Sequence, residues 1–303
     1  MSKIVVCGLV NIETSVSMDE FPIEYRPIDY RFFGINSTAS GVGLNLSAAL
    51  SSLSDEVCLL SFCGDDPAGR LIKAEVEALG VSSKNILTKN KNTAQSVVLY
   101  DKSGRRSVIC DLSDNQELSF DEDKFLEASE DADVICLTNI NYNASLFEAA
   151  KSTGALIATD VHCLSDIHDE YNSRFMKVAD ILFLSNENII GREEEFSLEL
   201  MKEYPANIIV VGMGHRGALL RVRGKDKPCF QEAVFTRDVV NTVGAGDSLF
   251  SAFIHFYAKD KDPEKALLLA TVFASYKIGE SGGAKGFLSE EGLLKLAESK
   301  GLI

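Results

Sequence analysis

The chain has 303 residues, 46% of them hydrophobic and 25% charged, the proportions of a folded globular protein and not of a disordered one. Its 45 Asp and Glu outweigh 30 Lys and Arg, a formal charge of −15 that repels phosphate backbones and anionic lipid and excludes nucleic acid and membrane as expected partners. No apolar run approaches the roughly 20 residues of a membrane-spanning helix, and seven scattered cysteines without a CxxC pair read as reduced thiols of a cytoplasmic protein.

The opening MSKIVVCGLV reads as a buried strand, not a signal peptide, with the strand at 3–8. Residues 11–40 then carry a period-two pattern, followed by a helix at 43–53, a strand at 57–62 and a helix at 67–79. A second period-two stretch runs over 93–112, with Ser103-Gly104 as a hairpin turn. Beyond it, helices at 122–129, 144–152, 169–178 and 196–203 alternate with apolar strands at 133–137, 155–159, 180–184 and 207–211. The last quarter is helical: 247–258, 263–279 and 289–299. Near-continuous apolar strands alternating with helices predict a mostly parallel sheet buried on both faces. The two period-two stretches predict either a small β-lobe or an edge extension of the main sheet.

Three Gly-rich loops invite chemistry. Gly212-Met-Gly-His-Arg-Gly217 spells GxGxxG, but a dinucleotide site needs a helix to follow, and ALLRV is a strand. The loop therefore reads as a tight hairpin. GVGLNLSAAL (41–50) places glycines before a helix, either as a cap or as backbone close to a small polar ligand, with Asn45 offering a donor and an acceptor. The strongest signal is VVNTVGAGDSLFSAF (239–253), where Gly244-Ala245-Gly246 precedes Asp247 and a helix starts at once. Free amides and the helix dipole make an anion hole there. Asp247 also reads as an ordinary helix cap, worth about 1 kcal/mol. The flanking glycines, which keep the loop clear of side chains, favour a catalytic carboxylate.

NTVGAGD resembles the DTxGAGD motif of the ribokinase-like (PfkB-type) carbohydrate kinases. GVGLNLSAALSSL, GDDPAGR (64–70), GLVNIE (8–13) and VGMGHRGALL (211–220) are similar to further family motifs in the same order, so the resemblance spans essentially the whole chain. It implies a single domain over 1–303, a three-layer αβα core with a mostly parallel sheet and a small β-sheet lid from about 11–40 and 93–112. The implied activity is ATP- and Mg²⁺-dependent phosphorylation of a sugar or nucleoside hydroxyl, and a homodimer through the lid is implied with it. Carried over by motif, Asp247 is the base and Gly244, Ala245 and Gly246 the anion hole. Asn11, Glu13, Gly41 and Asn45 face the acceptor; Asn186, Gly214, Gly217, Thr242, Phe273 and Lys277 lie on the nucleotide side, and Glu187 is the candidate metal residue.

Four positions depart from the family pattern. Glu13 stands for an Asp, Ser40 for the first Gly of a GG pair, and Asn186–Ile189 lacks the final Glu of N-x-x-E. Asn241 replaces the Asp that in many relatives helps form a monovalent-cation site, so a weak response to K⁺ is expected. Asn241 with the GVGLN run is also similar to pseudouridine kinases of the family. Two other readings compete: a phosphosugar kinase, which needs a cation such as Lys89, Lys91, Arg105 or Arg106 at the acceptor, and a nucleotide- or sugar-binding regulator without turnover. The four histidines lack metal-ligand spacing, and Glu193-Glu194-Glu195 reads as a solvated helix approach.

Overall fold

The computed structural model describes residues 1–102, 105–280 and 282–303; the turn expected at Ser103-Gly104 lies outside them. In chain order the elements are β1 (Lys3–Cys7), β2 (Asn11–Ser17), β3 (Ile35–Ser40), α1 (Val42–Ser52), β4 (Glu56–Gly64), α2 (Pro67–Ala78), β5 (Ile86–Asn90), β6 (Gln95–Tyr100) and β7 (Arg106–Asp111). They continue as α3 (Glu122–Ala128), β8 (Val134–Leu137), α4 (Phe147–Thr153), β9 (Leu156–Cys163), α5 (Glu170–Met176), β10 (Ile181–Ser185), α6 (Glu193–Glu203), β11 (Ile208–Gly212), β12 (Ala218–Val222) and β13 (Cys229–Gln231). Three helices close the chain: α7 (Ala245–Asp260), α8 (Pro263–Lys277) and α9 (Glu290–Ser299).

Nine strands form one sheet in the order β13-β12-β11-β10-β9-β8-β1-β4-β5. The run from β11 to β5 is parallel, and β12 and β13 are added antiparallel. Successive residues of each inner strand serve opposite cores, as the pleat requires. Ile4 and Val6 pack under α1, α7, α8 and α9, whereas Val5 and Cys7 pack under α3 and α4. Phe183 and Val210 join the first core, while Leu184 and Val211 meet α6 on the other side. Two apolar faces per strand explain the near-continuous apolar runs.

The period-two stretches form a separate four-stranded sheet, β3-β2-β6-β7. β2 pairs antiparallel with β3 and parallel with β6, so segments far apart in sequence build one polar-faced layer. Asn11 and Glu13 of β2, Thr38 and Ser40 of β3, and Ser96 of β6 share one face by register. An edge extension of the main sheet is thereby excluded. Helix bounds shift slightly from expectation: the segment read at 144–152 starts as a 3-10 turn at Asn141–Leu146, and α6 begins at Glu193.

Candidate active site

α7 starts where it does because of the loop before it. The Asn241 side-chain oxygen accepts from the Val243 amide at 2.8 Å, turning the chain. Gly244 then adopts φ 76°, where a side chain is disfavoured, and a Cβ there would come within 2.8 Å of the Gly283 carbonyl. Gly246 is different: it is helical, and a Cβ would meet nothing within 4 Å. The loop strain that a positive φ would cause therefore belongs to Gly244 and not to Gly246. The Ala245 amide is spent on the Thr242 carbonyl, whereas those of Gly244, Gly246 and Asp247 at the helix start have no acceptor among the described residues. Three such N–H groups at the start of a 16-residue helix favour a bound anion.

Asp247 stands beside them. One carboxylate oxygen accepts from Asn45 Nδ2 at 2.7 Å, and the other has no protein partner among the described residues. Burial raises its pKa, against the Asn45 bond and the nearby His162; Asp160 raises it further. Glu13 is raised as well, chiefly by burial, with Ser40 opposing and Asp247 adding. The Ser40 hydroxyl lies 3.4 Å from both Glu13 Oε2 and Asn45 Oδ1, bridging the small sheet to α1. The hydroxyl thus puts a donor where the family pattern has a bare glycine. Asn11 gives its Nδ2 to Ser96 Oγ at 3.0 Å and keeps a buried Oδ1 without a partner.

Asp160 and His162 end β9, and His162 holds φ 56°, a conformation few non-glycine residues adopt. Both were missed as site residues; only their place at the C-terminal end of a parallel strand could have marked them. Arg106 is one of the four cations named for the phosphosugar reading. It lies on the face of β7 that Cys110 shares, pairs with Glu187 at 3.7 Å and acts on Glu13.

Several expected ligand residues have other duties. Gly41 has φ 101°, and a Cβ there would strike the Leu9 carbonyl at 2.5 Å, so chain crossing alone demands the glycine. Gly217 is buried, and its Cβ would come within 2.0 Å of the Gln231 carbonyl, so it shapes the β11–β12 hairpin and offers nothing to a nucleotide; Gly214 is exposed with open space around it. Asn186 is buried, its amide donating to Glu193 Oε1 at 2.8 Å. Thr242 is exposed at the mouth of the loop. Phe273 is 1% exposed, stacked on Phe287 with ring centroids 5.6 Å apart, and so presents no face to adenine. Helical periodicity gave its position but not which side of α8 meets the core. Lys277 is fully buried and binds the carbonyls of Val243 and Gly282, so it braces the loop instead of touching nucleotide. Glu193, expected in solvent, is 6% exposed and ion-paired with Arg216.

Glu187 is exposed, with one oxygen near Arg106 and the other accepting from Cys163 Sγ at 3.3 Å. Among the described residues no three His, Cys, Asp or Glu side chains converge to hold a metal. All seven thiols are free, and no described helix is long and apolar enough to cross a membrane.

Polar groups gathered over the C-terminal ends of parallel strands are where open α/β enzymes bind their ligands, and that is the class this fold defines. Within it, the model of the pfkB family carbohydrate kinases matches residues 1–290, and the chain belongs to that family. It is a phosphotransferase with an alcohol group as acceptor. An ATP-dependent ribose-1-phosphate kinase of Halopiger xanaduensis is 24% identical over 288 residues, covering 93% of this chain and 94% of that one. A ribokinase of Arabidopsis thaliana is 25% identical over 316 residues, covering 97% and 80%. Its solved structure with ribose and ATP superposes with a TM-score of 0.82 at 23% identity, covering 97% of this chain and 98% of that one. A microbiome-derived acarbose kinase superposes with a TM-score of 0.87 at 23% identity over 98% and 99%. The fold is ribokinase-like.

Proposed function

We propose that this chain transfers the γ-phosphoryl group of ATP to a hydroxyl of a sugar or nucleoside, with Asp247 as base. The observation that carries this reading is the under-bonded Asp247 carboxylate beside the free amides of Gly244, Gly246 and Asp247. Phosphoryl transfer asks mainly for positioning and charge stabilisation. The amides stabilise charge developing on the transferred group, and Gly246 keeps the approach clear. Asp247 takes the hydroxyl proton late, once the new O–P bond is forming. Asn45 fixes the carboxylate through one oxygen and leaves the other for that proton. Asn11 Oδ1 and Glu13 face the acceptor as hydrogen-bond acceptors for its remaining hydroxyls. Within a single domain over 1–303, closure of the small sheet built from about 11–40 and 93–112 as a lid excludes water from the transfer.

Magnesium fits this rim as an ion brought by the nucleotide, since among the described residues no three ligating side chains form a ready-made cage. Glu187 is the exposed carboxylate that would help hold it, and the ion, when bound, would neutralise phosphate charge. One observation favours a phosphorylated sugar as a second reading of the acceptor: Arg106 supplies a cation on the acceptor side of the site. The 18–34 loop exposes Tyr25, Ile28, Tyr30, Phe32 and Phe33, which supports a homodimer through the lid. The acidic surface and free thiols support a cytoplasmic location.

The test is ADP formation with ATP, Mg²⁺ and a panel of free sugars, nucleosides and phosphorylated sugars. Acceptor-dependent ADP matched by phosphorylated product is expected. ATP binding with no acceptor-dependent ADP anywhere on the panel would instead support a regulator.

A further inference from the structure

Lys277 closes α8 with no exposed surface, although lysine is among the residues least often buried. Its ammonium donates to the Val243 and Gly282 carbonyls, each at 2.6 Å. The two oxygens come from separate loops. Val243 belongs to the turn that starts α7; Gly282 belongs to the turn whose Gly283 is pressed against Gly244 and Asn45. Asp247 and Glu13 act on the same ammonium, as do Glu280 and, with like charge, Arg237. Backbone carbonyls aimed at one buried point, within reach of carboxylates, are the donor set of a desolvated monovalent cation.

We propose that Lys277 is a tethered cation, its ammonium filling the place a free monovalent ion would otherwise take and fixing the Val243–Asp247 loop for catalysis. It is a positioning residue. By holding the Val243 carbonyl it directs the amides that follow, and its charge helps keep Asp247 ionised. Asn241 agrees with this division of labour. Its side-chain oxygen is taken up by the Val243 amide and brings no negative charge to recruit a free ion. The proposal rests on the anion-hole reading of that loop.

The test uses the full chain and its Lys277→Ala, Lys277→Met and Lys277→Arg variants, with KCl, methylammonium chloride or tetramethylammonium chloride at constant ionic strength. Unaltered protein should show the same kcat and Tm in all three salts. Lys277→Ala should lose roughly tenfold or more in kcat with little change in acceptor KM, and K⁺ or methylammonium should restore kcat and raise Tm. Lys277→Met, which fills the space without charge, should respond to neither, and Lys277→Arg should keep part of the rate without added cation. Strong K⁺ activation of the unaltered protein would overturn the proposal. So would a folded Lys277→Ala with normal kcat, or one that no small cation recovers. Should the variants not fold, the salt comparison on the unaltered protein decides alone. The Tm arm needs no turnover, so it stands even if the kinase reading fails.

Discussion

A buried and a half-buried carboxylate of this chain have opposite fates. Glu193 is saturated: Asn186 and Arg216 donate to one oxygen, and the Gly191 amide donates to the other at 2.9 Å. Burial alone would raise its pKa, but these partners outweigh that and lower it. Among the described residues the Asp247 carboxylate has a single protein bond, and desolvation wins, so its pKa is raised. Saturation marks a carboxylate that ties α6 to the β11–β12 hairpin. Valence left unused toward a cleft marks one held ready for a proton.

The contrast can be broken by mutation. Asp247→Asn keeps the side-chain volume but removes the proton acceptor, so kcat should fall by about 10²-fold or more. Because the native site holds that carboxylate at a raised pKa, losing the charge should leave Tm equal or higher; kcat and a melting curve check both. Gly246→Val should fold normally, since Cβ finds open space, yet lose roughly tenfold to a hundredfold in kcat by screening the amides from phosphate. Unchanged activity in a folded protein would refute the anion hole. Glu193→Ala should cost about 1–3 kcal/mol of stability by stranding its three donors, with kcat per folded molecule preserved. Denaturant unfolding alongside kcat tests this.

Acidity and alkalinity sharpen the same contrast. Glu193 has a depressed pKa, so its contribution is present above the ordinary carboxylate range and is lost as pH falls through its folded value. Lys277 runs the other way: burial pushes it down to about 8 from 10.5. Between those values the unfolded chain binds the proton and the folded chain does not, so this group's contribution to stability rises with pH. Activity should fall around pH 8, as the folded protein's ammonium loses its charge. An alkaline loss of kcat without a loss of Tm is the expected signature, and Lys277→Arg should lack it.

Much of the fold was legible because its signals are local. Strands buried on both faces must be apolar throughout, which exposed β1, β4 and β8 to β11 as runs, and alternation exposed the small sheet. The strand order β3-β2-β6-β7 was not legible, because it depends on pairing between distant segments. The loop Gly244–Asp247 is contiguous and could be read directly. Lys277 could not, because its role is set by carbonyls of two other loops and by burial, none of which its helix encodes locally. Phe273, Gly41 and Gly217 show the mirror-image difficulty, since residue types that suit a ligand also suit a close backbone crossing or a core face, and Glu193, read as solvated, is buried by an ion pair that its helix does not encode locally. Ser40 stood out only as a departure, and its bridge between Glu13 and Asn45 emerges once β3 meets α1.

The central claim, that the acceptor's proton leaves through Asp247, is tested most directly by the single-turnover rate of phosphoryl transfer. ATP-saturated protein and its Asp247→Asn variant are mixed with the best acceptor across the acid range. The unaltered chain should lose rate on the acid side at a pH above that of an ordinary aspartate, and the variant's small residual rate should show no such limb. The same acid limb in both proteins, or a variant rate near that of the unaltered chain, would contradict it.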